Sequence, residues 1–198
     1  LMNWHPNSEQ IQQFIKLQSL LKSWNNQLNL TRLISGNDYW VSQIFDSLWP
    51  LEKELIKPLI DLNFIDVGSG CGLPGFAIAI ALPNSKITLI EANSRKASAL
   101  ENISTQLGLS ERISIRNERA EVSGHQPKLR GQFDFAMARA VASAPVVAEY
   151  LIPLLKQHGQ GLIYKGKYIE SEQQKLNQAL IFLNGKIKKI QQINLPED

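Results

Sequence analysis

Residues 66–75 read Asp-Val-Gly-Ser-Gly-Cys-Gly-Leu-Pro-Gly, with glycine at Gly68, Gly70, Gly72 and Gly75. Glycine allows a sharp backbone turn and leaves no side chain between the amides and a ligand, so such a loop suits close approach by a nucleotide-like molecule. Glu91 follows at the end of the next run of strand-forming residues, where a carboxylate can accept hydrogen bonds from both hydroxyls of a ribose. Loop and carboxylate together point to a nucleoside cofactor. Spacing alone leaves its identity open, because Gly70-Cys71-Gly72-Leu73-Pro74-Gly75 also satisfies the G-x-G-x-x-G pattern of an NAD-dependent oxidoreductase on a Rossmann fold. That chemistry needs a proton donor at the substrate, and His5, His125 and His158 all fall in expected terminal or loop segments.

A glycine loop binds a ligand only when a strand delivers it and a helix follows. Phe64-Ile65-Asp66-Val67 reads as a short buried strand, and residues 76–82 as an apolar helix with Pro74 in its first turn. Further strands are expected over residues 86–91, 113–115, 133–138 and 161–165. They alternate with helices over residues 94–107, ended by Gly108, then 146–155 and 168–183, and a late strand is expected over 186–193. Strand–helix alternation predicts a Rossmann-like α/β fold: a mostly parallel sheet, helices on both faces, and the ligand at the carboxyl ends of the strands. Ahead of it, Ile11, Phe14, Ile15, Leu17, Leu21, Trp24 and Leu28 mark one face of a helix over residues 8–28, which Asn7 and Gln10 can cap. A second helix is expected over about 38–48. Residues 1–57 thus form a helical amino-terminal extension and residues 58–198 the cofactor-binding core, within one compact unit.

At 198 residues, 43% hydrophobic and 20% charged, the chain can build one substantial core. Its most apolar stretch, residues 75–82, is far too short to cross a bilayer, and the amino terminus lacks the features of a secretory signal. A cytoplasmic protein without membrane contact is expected. The single cysteine, Cys71, excludes an internal disulfide and a cysteine-based zinc site, so it is read as a small loop residue and no metal is expected. A net charge of +3 and a pI near 9.0 suit a polyanionic partner without requiring one. A non-catalytic RNA-binding protein that keeps the fold stays open beside the enzymes.

Further motifs accompany the loop: Asn29-Leu30-Thr31, Asp46-Ser47-Leu48, Arg119-Ala120-Glu121, Arg139-Ala140-Val141 and Lys165-Gly166. In this order, and with the Gly-Leu-Pro-Gly ending of the loop, the sequence resembles the RsmG family, also called glucose-inhibited division protein B, over most of its length. The resemblance implies a class I methyltransferase fold with S-adenosyl-L-methionine as cofactor. It also implies methylation of N7 of a guanine in 16S ribosomal RNA, free or within the small ribosomal subunit, by an enzyme expected to be a monomer. By the same resemblance Gly68 and Leu73 line the cofactor pocket, Ala120 and Glu121 flank the adenine, and Arg139 sits where cofactor and substrate meet. Gly70, Gly72 and Glu91 join the cofactor set from their loop and strand positions. Arg139, just past a core strand's carboxyl end, is the candidate catalytic contact. Lys165 holds the equivalent place after the fifth strand and is expected on RNA phosphate or the target base. Asp46 and Ser47 are expected either to hold the amino-terminal helices against the sheet or to form a lip of the substrate cleft.

Two departures from the family stand out. Gln43 occupies a position usually held by histidine, and relatives usually continue past Leu195-Pro196-Glu197-Asp198 into another strand, so either the sequence stops short of that strand or a sheet edge goes without its partner.

The implied chemistry is undemanding of acid–base groups. Guanine N7 carries a lone pair and no proton, so its attack on a sulfonium methyl needs no general base. Positioning carries the reaction, with N7 roughly 3–3.5 Å from the methyl carbon and in line with the departing sulfur. Arginine commonly reads guanine at O6 and N7; with N7 left open, Arg139 is expected on O6 or a phosphate. The base must leave its stack to enter the pocket, while Arg32, Lys165 and Lys167 are candidates for backbone contacts.

Overall fold

In the computed structural model, which describes residues 2–57 and 61–195, strands and helices alternate from β1 (Asn63–Val67) onward through five strands. The amino-terminal part comprises α1 (Ser8–Leu28), α2 (Gly36–Tyr39), a π-helical turn (Trp40–Phe45), α3 (Asp46–Leu48), a 3-10 turn (Trp49–Leu51) and α4 (Glu52–Ile56). The sheet-building part runs β1 (Asn63–Val67), α5 (Gly75–Ala81), β2 (Lys86–Ile90), α6 (Ser94–Gln106), β3 (Ile113–Arg116) and α7 (Ala120–Ser123). It continues through β4 (Phe133–Arg139), α8 (Ala144–Leu151), β5 (Leu155–Tyr164) and α9 (Glu170–Phe182). The strands lie in the order β3-β2-β1-β4-β5, and every neighbouring pair is parallel. Because the chain steps outward from β1 to β3 and then returns to β1's other side for β4, the order reverses there. A ligand crevice opens at the carboxyl ends of β1 and β4.

Successive strand residues enter opposite cores, as a pleat requires. Phe64 of β1 and Phe135 and Met137 of β4 face α1, α5 and α6, where the Phe64 and Phe135 rings stack 4.9 Å apart. Ile65 and Val67 of β1 and Ala136 and Ala138 of β4 turn the other way, toward Val147 and Leu151 of α8. Burial on both faces explains why these strands read as nearly continuous apolar runs. The amino-terminal helices belong to the first core: Phe14, Leu17, Leu21, Tyr39, Leu48 and Leu51 pack with Phe76, Ile78 and Leu100. The Gln10 side-chain amide also donates to Ile80 O (3.2 Å) and Ala81 O (3.1 Å), satisfying carbonyls at the end of α5.

At the start of α1, Asn7 and Gln10 form the reciprocal capping box that the sequence suggests. The helix expected over 38–48 starts earlier and runs on as a continuous helical segment of mixed type through Ile56, since nothing between Asn37 and Leu48 breaks it. Pro74 is the N-cap of α5 rather than part of its first turn. Pro153 ends α8 early, in a 3-10 turn over Ile152–Leu154. β5 begins at Leu155, not 161. Phe133 pairs with Leu155 and Phe135 with Gln160, so extra residues bulge from β5 around His158 (φ +67°), and this polar, glycine-containing stretch carries no strand periodicity. Residues 186–193 form no strand: Ile187, Ile190 and Ile193 recur every third position, and a strand face needs every second. The expected boundary at residue 58 and the final residues 196–198 lie outside the described residues.

Candidate active site

The glycine loop leaves β1 under close hydrogen-bond control. Gly68 N and Ser69 N both donate to Ile90 O at 2.9 Å, which ties the loop to the end of β2. Gly72 N donates to Ser69 O (2.7 Å), and the Ser69 hydroxyl donates to Asp66 O (2.8 Å). Gly68 (φ +72°) could not carry a side chain, because a Cβ there would lie 2.7 Å from Val141 Cγ2. Val141 reaches that place through Ala140, which adopts φ +57° directly after β4, a conformation that costs a non-glycine residue about 1 kcal/mol or more. Gly68 and Arg139-Ala140-Val141, separate in sequence, are thus one packing unit. Gly72 instead faces inward against Phe76, and Leu73 is buried.

Gly70 (φ +56°) is the open position. A Cβ there would meet only Gly68 O at 3.9 Å, so the loop presents bare backbone to the crevice. Its amide donates to Glu91 Oε2 (2.9 Å), while Asn93 N donates to Glu91 Oε1 (2.8 Å). Glu91 is 8% exposed, and each carboxylate oxygen keeps accepting capacity beyond its one backbone partner. A bare glycine backbone beside a fixed carboxylate fits the ribose end of a nucleoside cofactor.

Asp66, the first residue of the 66–75 segment, serves as a buried anchor of the loop. It is 1% exposed at the foot of the loop, and its Oδ2 accepts from Gly75 N at 3.0 Å. Burial pushes its carboxyl up to about 7, opposed by the Gly75 amide and the Arg139 charge and reinforced by Glu91. Cys71 is also buried, and burial raises its thiol out of the reactive range, so it is the small loop residue expected.

Arg139 ends β4 and reaches across to the amino-terminal helices. Its Nη1 donates to Asp46 Oδ2 (3.3 Å) and Ser42 O (3.4 Å), and its Nη2 donates to Gln43 Oε1. The π-helical turn presents Ser42 and Gln43 together, consistent with the tendency of such turns to occur at functional sites. Ser47 is fully buried: its hydroxyl donates to Gln43 O (2.6 Å), and its own carbonyl accepts from the Tyr164 hydroxyl (2.9 Å). Of the two roles expected for it, Ser47 therefore takes the first, locking the extension onto the sheet, and its buried hydroxyl makes no substrate contact. Asp46 stands at the cleft as the ion-pair partner of Arg139.

The remaining expected residues surround this centre. Ala120 and Glu121 open α7, whose preceding loop is braced by Arg116, Glu118 and Gln126; Arg116 and Glu118 meet at 3.0 Å. Glu121 is exposed and accepts from the Tyr150 hydroxyl at 3.0 Å. Lys165 does follow β5, but its ammonium is engaged 2.8 Å from Glu172 Oε1 on α9, an oxygen that also accepts from Ala144 N at the start of α8. Arg32 and Lys167 are exposed.

The chain matches the family described as rRNA small subunit methyltransferase G (GidB) across residues 10–197. The ribosomal RNA small subunit methyltransferase G of Prochlorococcus marinus (strain NATL2A) is 51% identical over 197 residues, covering 100% of this chain and 79% of that protein. The protein of the same name from Synechococcus sp. (strain CC9311) is 49% identical over 195 residues, covering 98% and 77%. Among solved structures, a SAM-dependent O-methyltransferase from Thermotoga maritima superposes with a TM-score of 0.55 at 17% identity, covering 82% of this chain and 55% of that one. Identity that low speaks for the fold alone.

Proposed function

The chain belongs to the rRNA small subunit methyltransferase G family, and on that premise we propose that it transfers a methyl group from S-adenosyl-L-methionine to N7 of a guanine in small-subunit ribosomal RNA. The observation that supports this most is the juxtaposition of an open glycine backbone held by Glu91 with an arginine fixed at the neighbouring strand end. A methyltransferase takes the place of the nicotinamide reading left open by spacing.

Glu91 would hold the ribose hydroxyls, Gly68, Gly70, Gly72 and Leu73 the body of the cofactor, and Ala120 and Glu121 the adenine. When bound, S-adenosyl-L-methionine supplies a methyl group activated by its sulfonium. The protein need not move a proton at the acceptor, since N7 has none. Arg139 has five donors; one edge of its guanidinium is engaged by Gln43, Asp46 and Ser42 O, and the remainder can take guanine O6 or a phosphate while leaving N7 open. Lys165, on exchanging Glu172 for phosphate, would join Arg32 and Lys167 along the RNA backbone. No helix among the described residues is long and apolar enough to cross a membrane, and a ribosomal RNA substrate would have the protein act in the cytoplasm.

The test is transfer of labelled methyl to small-subunit RNA from a strain lacking this protein, with digestion to nucleosides. Labelled 7-methylguanosine is expected; absence of transfer by protein that binds the cofactor would overturn the reading. Arg139→Ala should lose turnover and keep cofactor affinity, and unchanged turnover would remove Arg139 from the mechanism.

A further inference from the structure

Thr31, of the Asn29-Leu30-Thr31 motif, is linked to Arg139 through the Gln43 side chain. Gln43 is 2% exposed, and both ends of its amide are used: Oε1 accepts from Arg139 Nη2, and Nε2 donates to Thr31 Oγ1 at 2.9 Å. Thr31 Oγ1 also accepts from Leu33 N (3.1 Å), and Thr31 N donates to Asn25 Oδ1 (2.9 Å) in the last turn of α1. The chain of bonds therefore runs from the end of α1 to the guanidinium with every polarity fixed. A reversed Gln43 amide would set its NH2 against the guanidinium and its oxygen against the threonine, losing the contact to Arg139.

We propose that Thr31 and Gln43 are positioning residues that hold the plane of the Arg139 guanidinium toward the acceptor, which makes the amino-terminal extension part of the active site. The proposal rests on the placement of Arg139 at the acceptor. Gln43 suits this task because it is a neutral acceptor: it orients the guanidinium without cancelling the charge that must meet a polyanion, while Asp46, at 3.3 Å, is the ionic partner. Orientation has kinetic value, because a reacting group displaced by about 1 Å can lose on the order of 100-fold in rate.

The experiment measures single-turnover methyl transfer to small-subunit RNA, with separate titration of S-adenosyl-L-methionine, for Gln43→Leu, Thr31→Val, Thr31→Ser and Arg139→Ala, plus Gln43→Leu combined with Arg139→Ala. Gln43→Leu should slow transfer about tenfold, the size expected on losing one hydrogen bond to a charged group, with cofactor affinity unchanged. Thr31→Val should slow it less, and Thr31→Ser, which restores the hydroxyl, should recover most of that loss. In the Arg139→Ala background Gln43→Leu should do nothing more, because the relay then has nothing to hold. Full rates in both Gln43→Leu and Thr31→Val overturn the relay, as does an equal fall from Gln43→Leu with and without Arg139, the mark of a purely structural role. If Gln43→Leu does not fold, the half-buried Thr31 pair decides alone. A fully active Arg139→Ala enzyme would instead remove the role of Arg139 on which the relay depends.

Discussion

Replacing Asp66 by asparagine should stabilise the protein at neutral pH and leave it unchanged in acid. Burial raises the Asp66 carboxyl from an ordinary 3.8 to about 7 in the folded protein, so the folded chain holds that proton more tightly than the unfolded one. Stability from this group is then complete below about pH 4, falls as pH rises, and is gone above about pH 7. Three units at about 1.4 kcal/mol each amount to roughly 4 kcal/mol across that window. Asparagine stays neutral throughout and keeps a side-chain oxygen for the Gly75 amide, now 3.0 Å from Asp66 Oδ2. Urea unfolding of both proteins from pH 4 to pH 8 should therefore show a difference that starts near zero and grows to about 4 kcal/mol in favour of Asp66→Asn, or about 10 °C in Tm for a chain of this size. Taking the difference between the two proteins removes every other titrating group. A difference that stays flat with pH would refute the reasoning, because Asp66 would then be ionised alike in the folded and unfolded chains.

Glu91→Gln should raise the Kd for S-adenosyl-L-methionine about tenfold by calorimetry, since an amide keeps one acceptor where two backbone amides and a ribose need the carboxylate. Gly75→Ala should lower stability by about 1–3 kcal/mol in chemical unfolding, as its Cβ would stand 2.3 Å from Leu89 Cδ2 in a packed core. Lys165→Met should change stability by less than about 1 kcal/mol, the worth of a partly exposed ion pair, yet lower the salt dependence of RNA binding by about one phosphate contact. Tyr164→Phe should cost about 1 kcal/mol through the lost bond to Ser47 O, read as an earlier unfolding midpoint.

The sheet and the cofactor loop were legible because their signals are local. Buried strands show as apolar runs, the loop as glycines between strand and helix, and Glu91 lies one strand further on. The role of Gln43 was not legible: its contact with Arg139 joins residues 96 apart in sequence, and nothing near either residue announces the other. The two readings of Ser47, packing residue or cleft lip, stayed open for the same reason, since its burial depends on Tyr164 arriving 117 residues later. Asp66 stood in plain view within the motif, but a buried carboxylate at the foot of a loop looks in sequence like any strand-end acid. The late strand failed differently. Ile187, Ile190 and Ile193 give the segment strand-forming residues, but their spacing of three does not suit a pleat.

The hydrogen bonds of the glycine loop carry a kinetic consequence. Gly68 N, Ser69 N, Gly70 N, Gly72 N and Gly75 N all have protein acceptors, so the most permissive backbone in the chain is already committed to one shape. Glycine-rich segments ordinarily surrender the most conformational entropy when a ligand arrives. Here folding has removed that freedom beforehand. Cofactor association should follow a single phase whose rate rises linearly with concentration, with no slower isomerisation of the loop to limit it.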